Sequence, residues 1–303
     1  MGDHDHDGGS LSLAPSGPVR AELNAVEQTM LLTLYMRARD AARPNPILGD
    51  PHAQKILNRV NLDDISPTLF PSDQRFERFM CTRGRGLDKW CQLFLDSHAE
   101  EAVTVLHLAC GLDLRVMRIE RPAGSRIRWI EIDKPQVVNL RERLVPDPEQ
   151  EKELEWDYRL IGASVVDESW MSEIPSDRPL LLIAEGLFPY LTQQEITSLL
   201  RRLVDHVPSG WVATDTVGSL LTRFQHLHPL FKKTKIKLKW GVDDGNDIAA
   251  AHPRLQLMEA VRFNDLLPGL FGSQAPPSFG SWTPLLSLFP SWKTYSQMLR
   301  LEF

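Results

Sequence analysis

A glycine and an aspartate, Gly111 and Asp133, each stand at or just after the end of an apolar stretch of the sequence. Gly111 follows the apolar, β-branched run Val103–Leu108, which is typical of a strand buried on both faces. A strand that turns through glycine into a helix presents backbone N–H groups and the positive helix end to a ligand. Asp133 ends a second apolar stretch about 20 residues later, where doubly wound α/β domains place the acid that binds a ribose. The pair predicts a site for a nucleoside-bearing cofactor.

Polar residues also follow three further apolar stretches. They are the turn 164–167, with Ser164 and Asp167 at its ends; Glu185, after Leu180–Ala184; and Asp215, at the end of 211–215. The carboxyl ends of parallel strands meet at one edge of a sheet, so we expect these residues to line the same rim as Gly111 and Asp133. The crossover carries one glycine, whereas a pyrophosphate requires close backbone approach at several. A nucleoside without pyrophosphate is therefore favoured over a dinucleotide.

Arg83 lies in a helical pattern that two glycines, Gly84 and Gly86, interrupt. Glycine lowers helix stability, and two of them are unusual unless the backbone passes close to another group. One interpretation is a break between two helices with Arg83 and Arg85 in solvent. The other is that Arg83 reaches a carboxylate of the bound ligand. Composition alone leaves both open.

Apolar periodicity predicts the elements that position these residues. Helices are expected over 21–42, after Asp50, over 75–98, over 136–144 and up to His206, the last one starting in a capping box of Thr192 and Glu195. Strands are expected over 103–108, 128–133, 158–165, 180–184, 211–215 and, with lysines on its solvent face, 234–240. Repeated strand–helix units predict an α/β fold, a doubly wound and mostly parallel sheet covered on both faces. The apolar segment 276–290 is either domain core or a lid over an aromatic ligand.

Composition excludes several functional classes. The 303-residue chain has a formal net charge of -6 and no long basic run, which argues against a nucleic-acid partner. Its apolar runs are shorter than the roughly 18 residues of a membrane span, and the N-terminus lacks the pattern of a secretion signal. Three cysteines form neither a metal-like pair nor an even disulfide set, which favours the reducing cytoplasm. His4 and His6 are expected to be solvated, so no metal is expected, and a homodimer is left open.

A series of motifs resembles the leucine carboxyl methyltransferase superfamily, and most of all its tetracenomycin-type polyketide O-methyltransferase branch. The matching segments follow the family's order over residues 21–260 and are 27–39, 46–53, 83–88, 108–115, 129–135, 184–191 and 240–244. Gly-Leu-Asp-x-Arg at 111–115, x-x-Asp-x-Pro at 131–135 and Glu-Gly-x-x-x-Tyr-Leu at 185–191 are fairly specific as a set in series. The resemblance implies a class I methyltransferase fold that uses S-adenosylmethionine, with a seven-stranded Rossmann-like sheet, an N-terminal helical segment and a C-terminal substrate cap.

The resemblance also implies roles for individual residues. Arg83 would bind the methionine carboxylate with its planar fork, Asp133 would hold the ribose hydroxyls, and Glu185 would border the methionine amino group. The other residues expected to contact the cofactor are Ala109, Gly111, Ser164, Val165 and Tyr190. The chain departs from the family at Ala109, Leu114 and Ser164, where relatives often have glycine, threonine and aspartate.

The expected organisation follows the same resemblance. Residues 1–19 are a disordered tail, 20–100 an N-terminal helical segment, 101–218 the S-adenosylmethionine-binding core, and 219–303 a substrate cap with the C-terminal strands of the same domain. The tail is expected to be disordered because it is rich in Gly, Ser, Asp and Pro.

The favoured function is that of an S-adenosylmethionine-dependent O-methyltransferase acting on a hydroxyl or carboxyl group of a polyketide-like or aromatic small molecule in secondary metabolism. The three departures motivate an alternative, a pericyclase-like enzyme of the same fold that catalyses cyclisation or rearrangement without methylation. A protein carboxyl methyltransferase is a third hypothesis. A carboxylate acceptor is already ionised near pH 7, whereas a phenol requires a general base. His226 and His228 are the candidate catalytic bases by their position in the chain.

Overall fold

A computed structural model describes residues 27–61, 74–145, 157–227, 231–232, 236–263 and 294–303. The predicted tail 1–19, the apolar segment 276–290 and His228 lie outside these ranges. Within them, no helix is long and apolar enough to cross a membrane.

Seven strands form one sheet in the order β3-β2-β1-β4-β5-β7-β6. The strands are β1 (Ala102–Leu108), β2 (Arg126–Asp133), β3 (Asp157–Gly162), β4 (Leu180–Ala184), β5 (Gly210–Val217), β6 (Gln256–Arg262) and β7 (Ser296–Glu302). The first five pair in parallel, and β7 runs antiparallel to both of its neighbours. Residues 102–108 and 180–184 are buried almost throughout, as expected for central strands covered on both faces. The predicted doubly wound, mostly parallel α/β sheet is confirmed.

Helices cover both faces of the sheet. They are α1 (Gln28–Ala41), α2 (Ala53–Leu57), α3 (Gln74–Ser97), α4 (Arg115–Arg118), α5 (Pro135–Leu144), α6 (Gln193–His206), α7 (Ser219–Phe224) and α8 (Asn246–Ala249). The apolar side of α6 packs with Leu106 and Leu182 in one core cluster, and that of α3 packs with Val105 and Ile183 in another. A third cluster joins α1, α2 and α5. Alternate residues of one strand thus serve opposite faces, which is the pleat rule for a buried sheet.

The capping box at the start of α6 is confirmed. Thr192 Oγ1 accepts a hydrogen bond from the Glu195 backbone N–H at 3.2 Å, and Glu195 Oε2 accepts one from the Thr192 N–H at 2.6 Å. Two of the N–H groups that a helix start leaves without intrahelical partners are satisfied in this way.

One of the two interpretations of Gly84 and Gly86, a break between two helices, is wrong, because α3 continues from Gln74 to Ser97. A Cβ atom at Gly86 would lie 2.6 Å from the end of the Met298 side chain on β7. The glycine therefore marks a close approach of helix to sheet.

The expected strand over 234–240 is also wrong for the part that the structure describes. Residues 236–240 alternate between buried and exposed side chains, as the sequence pattern indicated, but they join no sheet. Their backbone is held instead by Lys239 N–H donating to the Pro189 carbonyl at 2.8 Å and Leu238 N–H donating to the Gln225 side chain at 2.7 Å. Period-two burial indicates an amphipathic segment, and only backbone pairing makes it a strand.

The third strand, β3, ends at Gly162, earlier than the expected end at residue 165.

Candidate functional site

The crossover after β1 is built from two residues in the left-handed region. Ala109 has φ 51° and Gly111 has φ 53°, and Ala109 is the one non-glycine residue with positive φ among those described. Such a conformation costs an alanine about 1 kcal/mol or more, so the surrounding contacts must hold it. The Ala109 N–H donates to the Ile132 carbonyl at 2.7 Å, which ties the crossover to the end of β2.

Asp133 lies directly across from this crossover. Its Oδ2 accepts the Gly111 N–H at 2.7 Å and its Oδ1 accepts the Lys134 N–H at 2.8 Å. The residue is 9% exposed. Burial raises the pKa of Asp133, and the two backbone donors oppose that rise. The predicted pairing of Gly111 with the acid that ends β2 is thus present as a direct hydrogen bond.

The Ser164–Val165 turn follows β3 at the same rim. The Ser164 carbonyl accepts the Trp170 Nε1–H at 3.1 Å and the Asp167 N–H at 3.0 Å, so the turn is fixed through its backbone. Both Ser164 and Val165 are half-buried, and Val165 packs against the core cluster under α6.

A second group of charged residues forms where β4 and β5 end. Arg83 of α3 donates from Nε to Glu185 Oε1 at 3.1 Å and from Nη1 to Asp215 Oδ2 at 3.3 Å. The three side chains are 11%, 13% and 3% exposed. The Asp215 Oδ1 accepts the Gly186 N–H at 2.5 Å, and Gly186 has φ 63°, a conformation that glycine adopts without strain. One arginine therefore joins the ends of two neighbouring strands.

Electrostatics differ between the two acids that Arg83 contacts. Glu185 is also paired with Arg115 at 2.6 Å. Its two guanidinium partners outweigh burial and lower the pKa of Glu185 to about 2. Asp215 faces Arg83 and the nearby Glu185 charge, and burial dominates, so its pKa is raised. Glu185 is therefore ionised at neutral pH and places a negative charge at the rim.

The first turn of α1 crosses the same rim. Met30 lies over the crossover, since a Cβ atom at Gly111 would be 3.1 Å from Met30 Cγ. The Tyr190 side chain hydrogen-bonds with Thr29, and Glu27 accepts from Lys134 at 3.2 Å and from Gln136 at 2.8 Å. The N-terminal helical segment thus contacts the site directly.

Comparison with known proteins identifies the family to which the chain belongs. The sequence profile of the leucine carboxyl methyltransferase family matches residues 30–204. The chain is 38% identical to the tetracenomycin polyketide synthesis O-methyltransferase TcmP of Streptomyces glaucescens over 237 residues, 78% of this chain and 83% of TcmP. The chain belongs to the leucine carboxyl methyltransferase family. It is also 34% identical to the S-adenosyl-L-methionine-dependent methyltransferase dpfgK of Gibberella zeae, over 80% of this chain and 84% of that protein.

A solved structure supports the fold of this family member. The crystal structure of a DUF574 family protein from Streptomyces avermitilis superposes with a TM-score of 0.51 over 90% of this chain and 96% of that chain. The two sequences are 11% identical, so the match concerns the fold alone.

The side chains of this methyltransferase-family site fit S-adenosylmethionine, the cofactor that the motifs imply. A carboxylate offers about four acceptor positions, and backbone donors occupy two of those on Asp133, one per oxygen. Each oxygen therefore retains an acceptor position for one ribose hydroxyl. At the other end, the hydrogen bonds to Glu185 and Asp215 use Nε and Nη1 of Arg83, so the N–H groups on its Nη2 can bind a carboxylate.

The structure brings most of the predicted residues together in two groups at one rim. Ala109, Gly111 and Asp133 form the first group; Arg83, Glu185 and Tyr190 belong with the second, and Ser164–Val165 follow the neighbouring strand β3. His226 lies in the short turn Gln225–Leu227 after α7 and is exposed. His107 is buried in β1 with hydrogen-bonding partners. Within the described ranges, no group of three or more His, Cys, Asp or Glu residues could hold a metal ion.

Three residues of the site were not identified from the sequence. Met30 and Thr29 belong to the matching segment 27–39, which indicated a functional helix but gave no reason to place it over Gly111. Arg115 was given no role from the sequence, and its ion pair with Glu185 was not foreseen. Its signal is present in the Gly-Leu-Asp-x-Arg motif, which places an arginine one turn past the crossover.

Proposed function

We propose that this protein transfers the methyl group of S-adenosylmethionine to a hydroxyl or carboxyl oxygen of an aromatic or polyketide-like small molecule. It is an S-adenosylmethionine-dependent O-methyltransferase of secondary metabolism. TcmP, at 38% identity, is named for tetracenomycin polyketide synthesis, and dpfgK, at 34% identity, for S-adenosylmethionine-dependent methyl transfer. These names support methyl transfer, and no described contact favours cyclisation or protein carboxyl methylation.

The observation that carries the proposal is the hydrogen bond between Asp133 and the Gly111 N–H. It fixes a buried carboxylate against a glycine crossover, with one acceptor position left on each oxygen for a vicinal diol. A pyrophosphate would need more backbone donors at this place than one glycine turn provides. The pair therefore favours a nucleoside over a dinucleotide.

Residues of the second group hold the amino-acid end of the cofactor. Arg83 binds the carboxylate through Nη2, and Glu185 accepts from the amino group with the negative charge that its two guanidinium partners secure. Ser164 accepts from the adenine amino group, while Val165, Ala109 and Tyr190 border the cofactor. When bound, S-adenosylmethionine supplies a methyl group on a positively charged sulfur. The chain's own contribution is to hold donor and acceptor oxygen in line, which is the proximity effect.

The acceptor determines whether a base is required. A carboxylate reacts as it stands, and a phenol must lose its proton to a nearby base. His226 is the described candidate for that base, and His228 follows it in the sequence. Both assignments stay predictions.

Further features of the proposal concern the whole chain. The protein acts in the cytoplasm, which fits its three cysteines, all buried and free. It acts on a small molecule, without nucleic acid or a membrane as partner, and a homodimer is compatible with this activity. Residues 20–100, 101–218 and 219–303 serve as helical segment, cofactor-binding core and substrate cap of one domain.

Calorimetric titration of S-adenosylmethionine and S-adenosylhomocysteine into the protein tests the proposal. Asp133→Asn removes the charge that accepts from the ribose, and we expect it to weaken binding of both compounds about 10- to 100-fold, the effect of losing a charge-assisted hydrogen bond. Asp157→Asn is the matched control. Asp157 starts β3, so it lies at the amino end of the parallel strands, away from the rim, and it pairs with Arg128.

Unchanged binding by Asp157→Asn together with weakened binding by Asp133→Asn supports the proposal. Lack of binding by the wild-type protein at about millimolar ligand, or equal binding by the wild type and Asp133→Asn, would falsify it.

A further inference from the structure

Arg115 belongs to the Gly-Leu-Asp-x-Arg motif, and the cofactor contacts proposed above leave it without a role. Its side chain is fully buried, so it cannot touch a ligand. Its Nη2 donates to Glu185 Oε2 at 2.6 Å and its Nε donates to Asp88 Oδ1 at 2.5 Å. Its Nη1 lies 3.3 Å from Asp113 Oδ2 and 3.3 Å from His107 Nε2. All three guanidinium nitrogens are therefore engaged, and one of them reaches the proposed cofactor site.

His107 completes the support of this arginine from inside the sheet. Its Nδ1 lies 3.3 Å from Glu131 Oε1, on the side of the ring opposite Arg115. A neutral ring with its proton on Nδ1 donates to Glu131 and accepts from Arg115, so one tautomer, inferred from the network, satisfies both neighbours. The guanidinium is thus fixed by α3, by the loop before α4 and by β1.

We propose that Arg115 is a positioning residue that holds the Glu185 carboxylate in the orientation that receives the amino group of the cofactor. The inference rests on the proposed function, because it takes Glu185 as the residue at that end of the ligand. Arg83 Nε holds Oε1 of Glu185, and Arg115 Nη2 holds Oε2. The terminal torsion of a glutamate is broad when the side chain is free, so two donors from different helices define the carboxylate plane where one would not.

The charges around Glu185 are consistent with this role. The groups that face it are Arg83 and Cys81 of α3, Arg115 of α4, Asp113 of the loop before α4, and Asp215 of β5. Both arginines stabilise the ionised carboxylate, while Asp113 and Asp215 oppose it. Arg115 therefore contributes both charge and direction, and Asp88 and Asp113 in turn neutralise Arg115.

Arg118 provides a matched comparison within the same helix. It is paired with Asp88 at 2.6 Å, with Asp113 at 3.1 Å and with Asp50 at 3.3 Å. It shares two acids with Arg115, and Glu185 is not among its partners in the part of the chain that the structure describes. A purely structural contribution of the cluster is common to both arginines, whereas an effect through Glu185 belongs to Arg115 alone.

A double-mutant cycle measured by calorimetry with S-adenosylhomocysteine tests the inference. The first cycle compares the wild type with Arg115→Lys, Glu185→Gln and the double variant. The matched cycle replaces Arg115→Lys by Arg118→Lys, measured alone and together with Glu185→Gln. Lysine keeps the buried positive charge and loses the fork, so the two lysine substitutions leave the charge of the core unchanged. Thermal unfolding of each variant checks that the proteins compared are folded.

We expect Arg115→Lys to weaken binding about tenfold in the wild-type background and to have no further effect once Glu185→Gln is present. Arg118→Lys is expected to change binding less than about threefold in either background. Equal losses for Arg115→Lys in both backgrounds, or equal losses for the two lysine variants, would overturn the positioning role. Failure of the wild-type protein to bind would instead remove the proposed function, so the two failures are distinguishable.

Discussion

At the scale of single residues, Glu185 is a buried side chain whose charge depends on its neighbours. Burial alone would favour its neutral form, and the two guanidinium groups beside it reverse that preference. A carboxyl group with a lowered pKa in the folded state stabilises the protein above its unfolded pKa, and this stabilisation is lost as the pH falls through the folded value. Since the pKa of Glu185 is lowered from 4.5 to about 2, the window lies between those two values.

This linkage gives a prediction about acid stability. Lowering the pH from about 5 to about 2 should reduce the free energy of unfolding of the wild-type protein by up to about 3 kcal/mol more than that of Glu185→Gln, because glutamine takes up no proton. Urea denaturation at several pH values measures the difference. Glu142→Gln makes the same substitution at an exposed position of α5 and should keep the wild-type pH dependence. Identical slopes for the wild type and Glu185→Gln would show that the ion pairs with Arg83 and Arg115 do not form in solution.

Three of the residues that the sequence indicated share one property, which is their position at or after the end of an apolar strand. Gly111, Asp133 and Glu185 could be placed on one rim because parallel strands end at the same edge, and the structure shows the first two in direct contact. This reasoning did not identify Arg115 or Met30, because each lies on a helix and contacts a residue beyond the end of a strand: Arg115 pairs with Glu185, and Met30 lies over Gly111. Side-chain pairing between a helix and a distant strand end depends on packing distances, which spacing along the chain does not encode.

At the scale of elements, the sheet is assembled with very close backbone contacts at the start of β5. Gly210 lies between β4 and β7, where its N–H donates to the Phe303 carbonyl at 3.1 Å and its carbonyl accepts the Phe303 N–H at 3.0 Å. A Cβ atom at this position would lie 2.2 Å from the Leu180 carbonyl oxygen and 2.8 Å from the Phe303 ring. The Leu180 backbone carbonyl cannot withdraw without moving β4.

Gly210→Ala is therefore expected to lower the free energy of unfolding by about 3 kcal/mol or to prevent folding. Gly84→Ala is the matched control, since a Cβ atom there would meet the flexible end of the Leu48 side chain at 3.2 Å and Glu185 Oε1 at an ordinary contact distance of 3.9 Å, and alanine favours a helix. Its unfolding free energy should stay within about 1 kcal/mol of the wild-type value. Chemical denaturation of both variants measures the contrast, and equal stability of the two would show that β4, β5 and β7 do not pack as described.

The predictions of helices and strands were right where the apolar periodicity agreed with residues that cap the end of the element. The helix that starts at Thr192 combined an apolar stripe with a capping box, and both are present. The expectation over 234–240 rested on alternation alone, and the described residues 236–240 bind loop and side-chain groups instead of a strand. A break at the two glycines of α3 stayed open as an interpretation because the sequence does not show that Met298 lies beneath Gly86.

At the scale of the whole molecule, three separate parts of the chain meet at the rim of the parallel strands. The sheet supplies Asp133 and Glu185, α3 supplies Arg83, and the first turn of α1 lies over Gly111 through Met30. The family match covers residues 30–204, which includes all three parts. A cofactor bound here would therefore contact both the sheet and the N-terminal helices, so its binding should stabilise the two together.

The most direct test of the account is a crystal structure of the protein with S-adenosylhomocysteine bound. We predict both ribose hydroxyls within hydrogen-bonding distance of the Asp133 carboxylate and the ligand carboxylate on Arg83, with Glu185 beside the amino group. Ligand density away from Gly111 and Asp133, or a ribose that does not contact Asp133, would contradict the central claim that this crossover and this acid bind one nucleoside.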